Sequence, residues 1–193
     1  LGDVDISRMQ PFQGNRKYLF ERSKETLGLL YADHFPFRQK ASARGVRRTP
    51  FHEHLKSKGA VFGEAAGWER ANWFANPSDD LSELSTQSWS RFGPWEERVR
   101  QECEAVRDSV GVLDLPGFSR FKLSGFGCAS WLENLIVGSL PKVGKMNLAY
   151  FADKRGRVLT EMSLMRYGED EFTLITAASA QWHDYELLMG NLT

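Results

Sequence analysis

Gly59-Ala-Val-Phe-Gly63-Glu-Ala-Ala-Gly67-Trp-Glu-Arg-Ala-Asn-Trp-Phe74 packs two Trp, two Phe, four Ala and three Gly into sixteen residues. The glycines recur every four residues, a spacing that resembles a helical repeat. Each would cost a helix about 1 kcal/mol relative to Ala, so the stretch reads instead as loop and short strand. Phe62, Trp68, Trp73 and Phe74 then anchor it to a surface larger than its own, since each ring buries roughly 150–250 Å² when enclosed. On this reading the stretch is a junction between two unlike halves.

Upstream, residues 1–14 lack periodicity, and Asp3-Val-Asp-Ile-Ser-Arg-Met-Gln-Pro-Phe12 reads as a strand or loop leaving a preceding structure. Asn15 is an N-cap candidate for a helix from about Lys17 to Tyr31, with Leu19, Leu27 and Leu30 near helical spacing and Pro36 stopping its continuation. Between Phe37 and Thr49, Arg38, Lys40, Arg44, Arg47 and Arg48 stand with no acid among them. Two readings are open: a solvated linker, or an anion-docking strap against a neighbouring domain. Thr49 as N-cap and Pro50 at the first helical position open a short helix. His52 and His54 on it point about 200° apart and cannot chelate one ion together.

Downstream, Asn76 to Ser88 is a polar, turn-rich loop. Trp95, Val99, Cys103, Val106 and Val110 form one stripe of an amphipathic helix, which turns Cys103 to the core, and Gly111 ends it as a C-cap. Val112–Leu115 and Arg120–Ser124 read as strands separated by a Pro-Gly turn. Gly127 to Val137 reads as a helix burying Trp131, Leu132, Leu135 and Ile136. Lys145–Phe151 and Arg157–Arg166 read as a hairpin across Asp153-Lys-Arg-Gly156, Glu171–Thr176 as a further strand, and Ser179 as N-cap of a last helix through Trp182 and Leu187. Helix, strands, helix, three strands, helix is the order of an antiparallel-rich α+β fold with packed helices, not of a doubly wound one.

Composition narrows the partners. Of 193 residues 41% are hydrophobic and 26% charged, as in a soluble globular protein, and twenty-five basic residues balance twenty-five acidic ones. That balance supplies no field for nucleic acid or an anionic membrane. No run approaches the ~18 apolar residues of a membrane span. Cys103 and Cys128 are too few for a disulfide scaffold. The scattered His34, His52, His54 and His183 argue against a metal site.

Two constellations carry chemistry. Gly125-Phe-Gly127-Cys-Ala-Ser130 sits where a dinucleotide-binding turn would, but its third small residue is Ser and the residue about twenty further on is Asn147, with no acid to hold a ribose. A tight strand-to-helix turn explains it better. Cys128, near the helix start, has a position that can lower a thiol pKa, with packing as the default. In Arg157–Arg166, alternation puts Val158, Thr160, Met162 and Leu164 on one face and Leu159, Glu161, Ser163 and Met165 on the other. Glu161 is then a carboxylate among apolar neighbours in mid-strand. It is either half of an internal pair with an Arg or a site residue.

These residues together resemble the folate-binding aminomethyltransferase family, the T-protein of the glycine cleavage system, and within it the fused flavin-dependent dimethylglycine and sarcosine dehydrogenases. The resemblance is carried by Thr49-Pro-Phe-His-Glu-His-Leu55, Gly67-Trp-Glu-Arg-Ala-Asn-Trp-Phe74, Glu104 through Phe121, and Val143-Gly-Lys through Gly156. Lys17–Gln39 is similar to the end of the flavin domain in those enzymes. The resemblance implies a tail of a flavin domain over residues 1–48, then the N-terminal part of a T-protein-like folate-binding fold over residues 49–193. It implies tetrahydrofolate as acceptor of a one-carbon unit from an N-methylated glycine, with FAD bound by a domain outside this chain. It places the catalytic carboxylate at Glu161, where the family has Asp, with Tyr150, Thr176 and Ser179 as folate contacts. It also implies a bacterial cytoplasmic or mitochondrial matrix location. The added methylene at Glu161 moves the carboxylate by ~1 Å, a displacement that can cost on the order of 10²-fold in rate. A folate-binding or regulatory homologue without the chemistry is the alternative.

Overall fold

The junction stretch is a β-hairpin in the computed structural model, which describes residues 6–35, 38–82, 89 and 92–192. Strands β1 (Ala60–Ala65) and β2 (Trp68–Phe74) pair antiparallel from Ala60↔Phe74 to Ala65↔Trp68. Only Ala66 and Gly67 lie between them, with φ of 50° and 81°, the pair of positive values that a two-residue turn matched to strand twist demands. A Cβ at Gly67 would stand 2.6 Å from the Phe12 ring. The four-residue glycine spacing thus reflects turn geometry and close approach, and the expected loop and short strand are a two-residue turn between paired strands.

Backbone contacts divide the chain into two compact units, Gln10–Gly117 and Phe118–Thr193 with Leu1–Met9. Among the described residues the first holds the hairpin and three α-helices. Helix α1 (Arg16–Leu29) is capped as expected, the Asn15 side chain accepting from the Lys17 and Tyr18 amides at 3.0 and 3.3 Å. The Pro36 stop lies outside the described residues, as does the opening of the Asp3–Phe12 segment. The described part of that segment lies in 3-10 turns, Ile6–Arg8 and Pro11–Gly14, rather than strand.

The basic segment 38–49 fits neither expectation. Its Arg47 amide donates to the Gly67 carbonyl (3.0 Å) and its Arg47 carbonyl accepts from the Glu69 amide (2.9 Å), so it pairs parallel along β2. Arg44 forms a bidentate pair with Glu69 at 2.9 and 2.5 Å, and the Glu69 side chain is only 5% exposed. The Arg47 guanidinium lies over the Phe12 and Trp68 rings. Glu25 on α1 holds the Ala41 and Ser42 amides at 2.8 Å. Glu69 and Glu25, which hold Arg44 and the Ala41 and Ser42 amides, are distant in sequence, so a local charge count misses them.

Four further expectations change. Thr49 does not cap helix α2 (His52–Ser57): its hydroxyl donates to Asp114 at 2.5 Å. Helix α3 (Pro94–Asp108) is amphipathic, yet Cys103 is exposed, because the described residues leave the C-terminal half of the stripe uncovered. It ends on Ser109 rather than Gly111. Val112–Leu115 forms no strand, Val112 being 97% exposed. Of the expected 76–88 loop, residues 76–82 are irregular and 83–88 lie outside the described residues.

The second unit is a five-stranded antiparallel sheet in the order β3 (Phe118–Ser124), β7 (Glu171–Ala177), β6 (Val158–Gly168), β5 (Met146–Ala152), β4 (Ile136–Val137). The expected hairpin is present, from Met146↔Met165 to Ala152↔Val158. One face packs Ala149, Phe151, Met162, Leu164, Phe172 and Leu174 against Cys128 and Leu132 of α4 (Cys128–Glu133) and Leu188 of α5 (Gln181–Met189). Helix α4 is shorter than the expected 127–137: Ile136 and Val137 leave it to pair with Phe151 and Tyr150 as β4. Ser179 does not cap α5. It is exposed in a 3-10 turn, Ala178–Ala180, and α5 has no side-chain cap. The fold is α+β with antiparallel sheets, as read from the sequence.

Candidate functional site

Alternation along β6 decides which side chains share the sheet face that the helices leave open. Met162 and Leu164 point into the core, so Glu161, Ser163 and Met165 point the other way. Glu161 is exposed and stands opposite Tyr150 of β5. Of the two readings of Glu161, an internal pair with an Arg is not formed among the described residues: its neighbours along the strand are apolar, but its own face is open. Next to the pair, Leu148 and Met146 of β5 and Val137 of β4 are at least half exposed on the same face. The cross-strand rows continue as Leu148, Ser163, Ile175, Arg120 and as Met146, Met165, Thr173, Lys122. Together these residues make a largely apolar and aromatic floor with Glu161 in its end row and two cations on its far strand, one of which, Lys122, pairs with Glu171 on the same face.

Thr176 lies on the covered face instead. Its hydroxyl donates to Asp184 at 2.5 Å, and the fully buried Asp184 holds His183 Nδ1 at 2.9 Å with its other oxygen. The sheet thus brings Glu161 and Tyr150 together and separates them from Thr176, while Ser179 sits in the turn beyond β7. The sequence reading missed Asp184, whose signal is weak: one acid in the first turn of a helix, most often a solvated position. It also missed Arg120 as a member of the open face, although the alternation of Phe118, Arg120 and Lys122 is legible once β3 is drawn.

The glycine turn of residues 125–130 has an internal occupant. Asp170, from the β6–β7 turn, accepts from the Gly127 and Ala129 amides at 3.0 and 2.9 Å. Those amides, first Ala129 and then Gly127, hold the Asp170 carboxyl below the usual range. A phosphate would have to displace it, so the tight-turn reading holds. Burial, and then the charge of Asp170, push the Cys128 thiol up, opposite to the lowered value a helix start can give. Among the described residues no group of three His, Cys, Asp or Glu could hold a metal, and no helix is long and apolar enough to cross a membrane.

Residues 51–193 match the family model of the GCVT N-terminal domain, and residues 1–49 that of the FAD dependent oxidoreductase central domain. The chain is 35% identical over 180 residues to a 4-methylaminobutanoate oxidase (formaldehyde-forming) of Paenarthrobacter nicotinovorans, covering 92% of this chain and 21% of that protein. It is 31% identical over 169 residues to the mitochondrial dimethylglycine dehydrogenase of Mus musculus, covering 87% and 19%. A mitochondrial pyruvate dehydrogenase phosphatase regulatory subunit of Mus musculus is 26% identical over 185 residues, covering 94% and 21%. The chain thus spans about a fifth of the length of these relatives. Among solved structures, the glycine cleavage system aminomethyltransferase T of Bartonella henselae superposes with a TM-score of 0.51 at 18% identity, over 76% of this chain and 36% of that one.

Proposed function

We propose that this chain, which belongs to the GCVT N-terminal domain family, is the part of a flavin-dependent N-methylglycine dehydrogenase (dimethylglycine or sarcosine) that binds tetrahydrofolate on its open sheet face. In this reading residues 1–48 are the tail of the flavin domain and residues 49–193 the first part of the folate-binding domain. The observation that carries it is Glu161 opposite Tyr150, beside the exposed apolar side chains of Leu148, Met146 and Val137. That donor set suits a flat heterocycle: Leu148, Met146 and Val137 offer it apolar area, and Glu161 offers its ring N–H groups a charged acceptor.

Tetrahydrofolate, when bound, supplies a nucleophilic nitrogen that takes up a one-carbon unit to give methylenetetrahydrofolate. With the folate bound, Glu161 would accept a hydrogen bond from its ring N–H groups, orient it, and stand as a proton acceptor beside it. Tyr150, opposite Glu161, would offer the same ligand an aromatic face and a hydroxyl. Thr176 acts at a distance, by fixing Asp184 and so the seat of α5 under β7. In this reading FAD is bound by a domain outside this chain, and the glycine turn at residues 125–130 is occupied by Asp170. The similarity to a phosphatase regulatory subunit favours a second reading, a homologue that keeps the fold and has lost the chemistry.

In the full-length protein, folinic acid should quench Trp fluorescence, and E161Q should lower the yield of methylenetetrahydrofolate from an N-methylglycine on the order of 10²-fold while leaving the melting temperature unchanged. An E161Q protein with unaltered yield removes Glu161 from the mechanism. Folinic acid binding without any oxidation of N-methylglycines supports the regulatory reading.

A further inference from the structure

We propose that Arg120 anchors the carboxylate end of the ligand on the open sheet face, so that the chain selects a reduced folate by its glutamyl tail as well as by its ring. The inference rests on the folate reading and names a residue that reading does not need.

Arg120 is exposed on β3 and aligned with Ile175 and Ser163 across the sheet. Among the described residues it has no ion-pair partner, whereas Lys122, two residues on, is held by Glu171 at 3.0 Å. Arg166 on β6 serves the covered side, over the Phe172 ring and on the Pro141 and Gly168 carbonyls. Arg120 is therefore the cation on this face with its charge unspent.

Its placement fits an extended ligand. Glu161 and Arg120 are separated by two strand spacings and one same-face step along the strand, about 12 Å between Cα atoms. Between them lie Ser163, Ile175 and Ala177, which are small or neutral and present no acid to repel an anion. A ligand whose ring hydrogen-bonds Glu161 and whose body crosses β6 and β7 brings its far end over β3. The planar guanidinium takes a carboxylate through two parallel hydrogen bonds, which Lys cannot reproduce. Both ends of the ligand are then read by opposite charges: ring N–H groups by Glu161, tail carboxylates by Arg120.

The test is a binding titration of the full-length protein by Trp fluorescence, using folinic acid and the corresponding tetrahydropteroate that lacks the glutamyl group. In the wild type, folinic acid should bind more tightly, and its affinity should fall as salt rises. R120Q should weaken folinic acid by roughly tenfold and leave the tetrahydropteroate unchanged. R120K should recover only part of the loss, and E161Q should weaken both ligands. Equal folinic acid affinity in wild type and R120Q overturns the role of Arg120 while the folate reading stands. A wild type that binds neither ligand overturns both. Equal losses for both ligands in R120Q make Arg120 a structural residue and also refute the proposal.

Discussion

Replacing Arg44 with Met leaves Glu69 with a carboxylate that is 5% exposed and has lost its two guanidinium donors at 2.9 and 2.5 Å, keeping the Gly45 amide at 2.6 Å. Breaking a buried pair by removing one partner costs about 3–5 kcal/mol. Arg44 is 27% exposed, so water screens part of the attraction, and about 2–3 kcal/mol is the expected loss. With an m-value on the order of 2 kcal/mol/M, the urea midpoint should fall by about 1 M. Amide exchange at Arg47 and Glu69, which bond the strap to the hairpin, should accelerate in parallel. The pH dependence gives an independent sign. Burial alone raises the Glu69 carboxyl, but Arg44 and the Gly45 amide outweigh it and hold it below the ordinary value. In the wild type this contribution is therefore full above the unfolded value near 4.3 and is lost as pH falls through the folded one. In R44M the guanidinium no longer opposes burial, the folded value rises, and the slope reverses: the variant should gain stability as pH falls through that range. A stability loss below about 0.5 kcal/mol, the ordinary range for surface substitutions, with unchanged exchange at both amides, would refute the claim that this pair fixes the strap.

Glu25 gives a second acid-range signal: although burial raises it, the Ser42 side chain, the Ala41 and Ser42 amides and Arg22 bring it down to about 2. Its stabilisation should be complete above the unfolded value and fade as pH falls toward 2, and E25Q should flatten that part of a stability-against-pH curve. Maleimide should label the exposed Cys103 rapidly and the buried Cys128 only on unfolding; labelling of both at one rate in the native protein would refute the packing of Cys128 under the sheet. Phe172→Ala, which empties a fully buried site between the sheet and its helices, should cost about 3–5 kcal/mol in denaturant melts. A smaller loss would mean that the sheet repacks freely.

The sequence alone determined the α+β class, because alternation in 157–166 and helical spacing in 95–110 are local signals that survive in any context. It also determined the turn at Asp153–Gly156 and the Asn15 cap, where one side chain bonds amides two and three residues on. The family was legible for a different reason, that several motifs keep their order and spacing. Tertiary structure alone decided what depends on distant partners. The strap's arginines find Glu69 and the aromatic rings from outside any local window. Ile136 and Val137 leave a helix because β5 offers them an open edge, and Asp170 fills the helix start that the glycines frame. Most of all it decided the site. Period two places Glu161 and Thr176 each on a face of its own strand, but only the packing of α4 and α5 says which faces are covered. That packing leaves Glu161, Tyr150 and Arg120 on one open surface and puts Thr176 with Asp184 on the other.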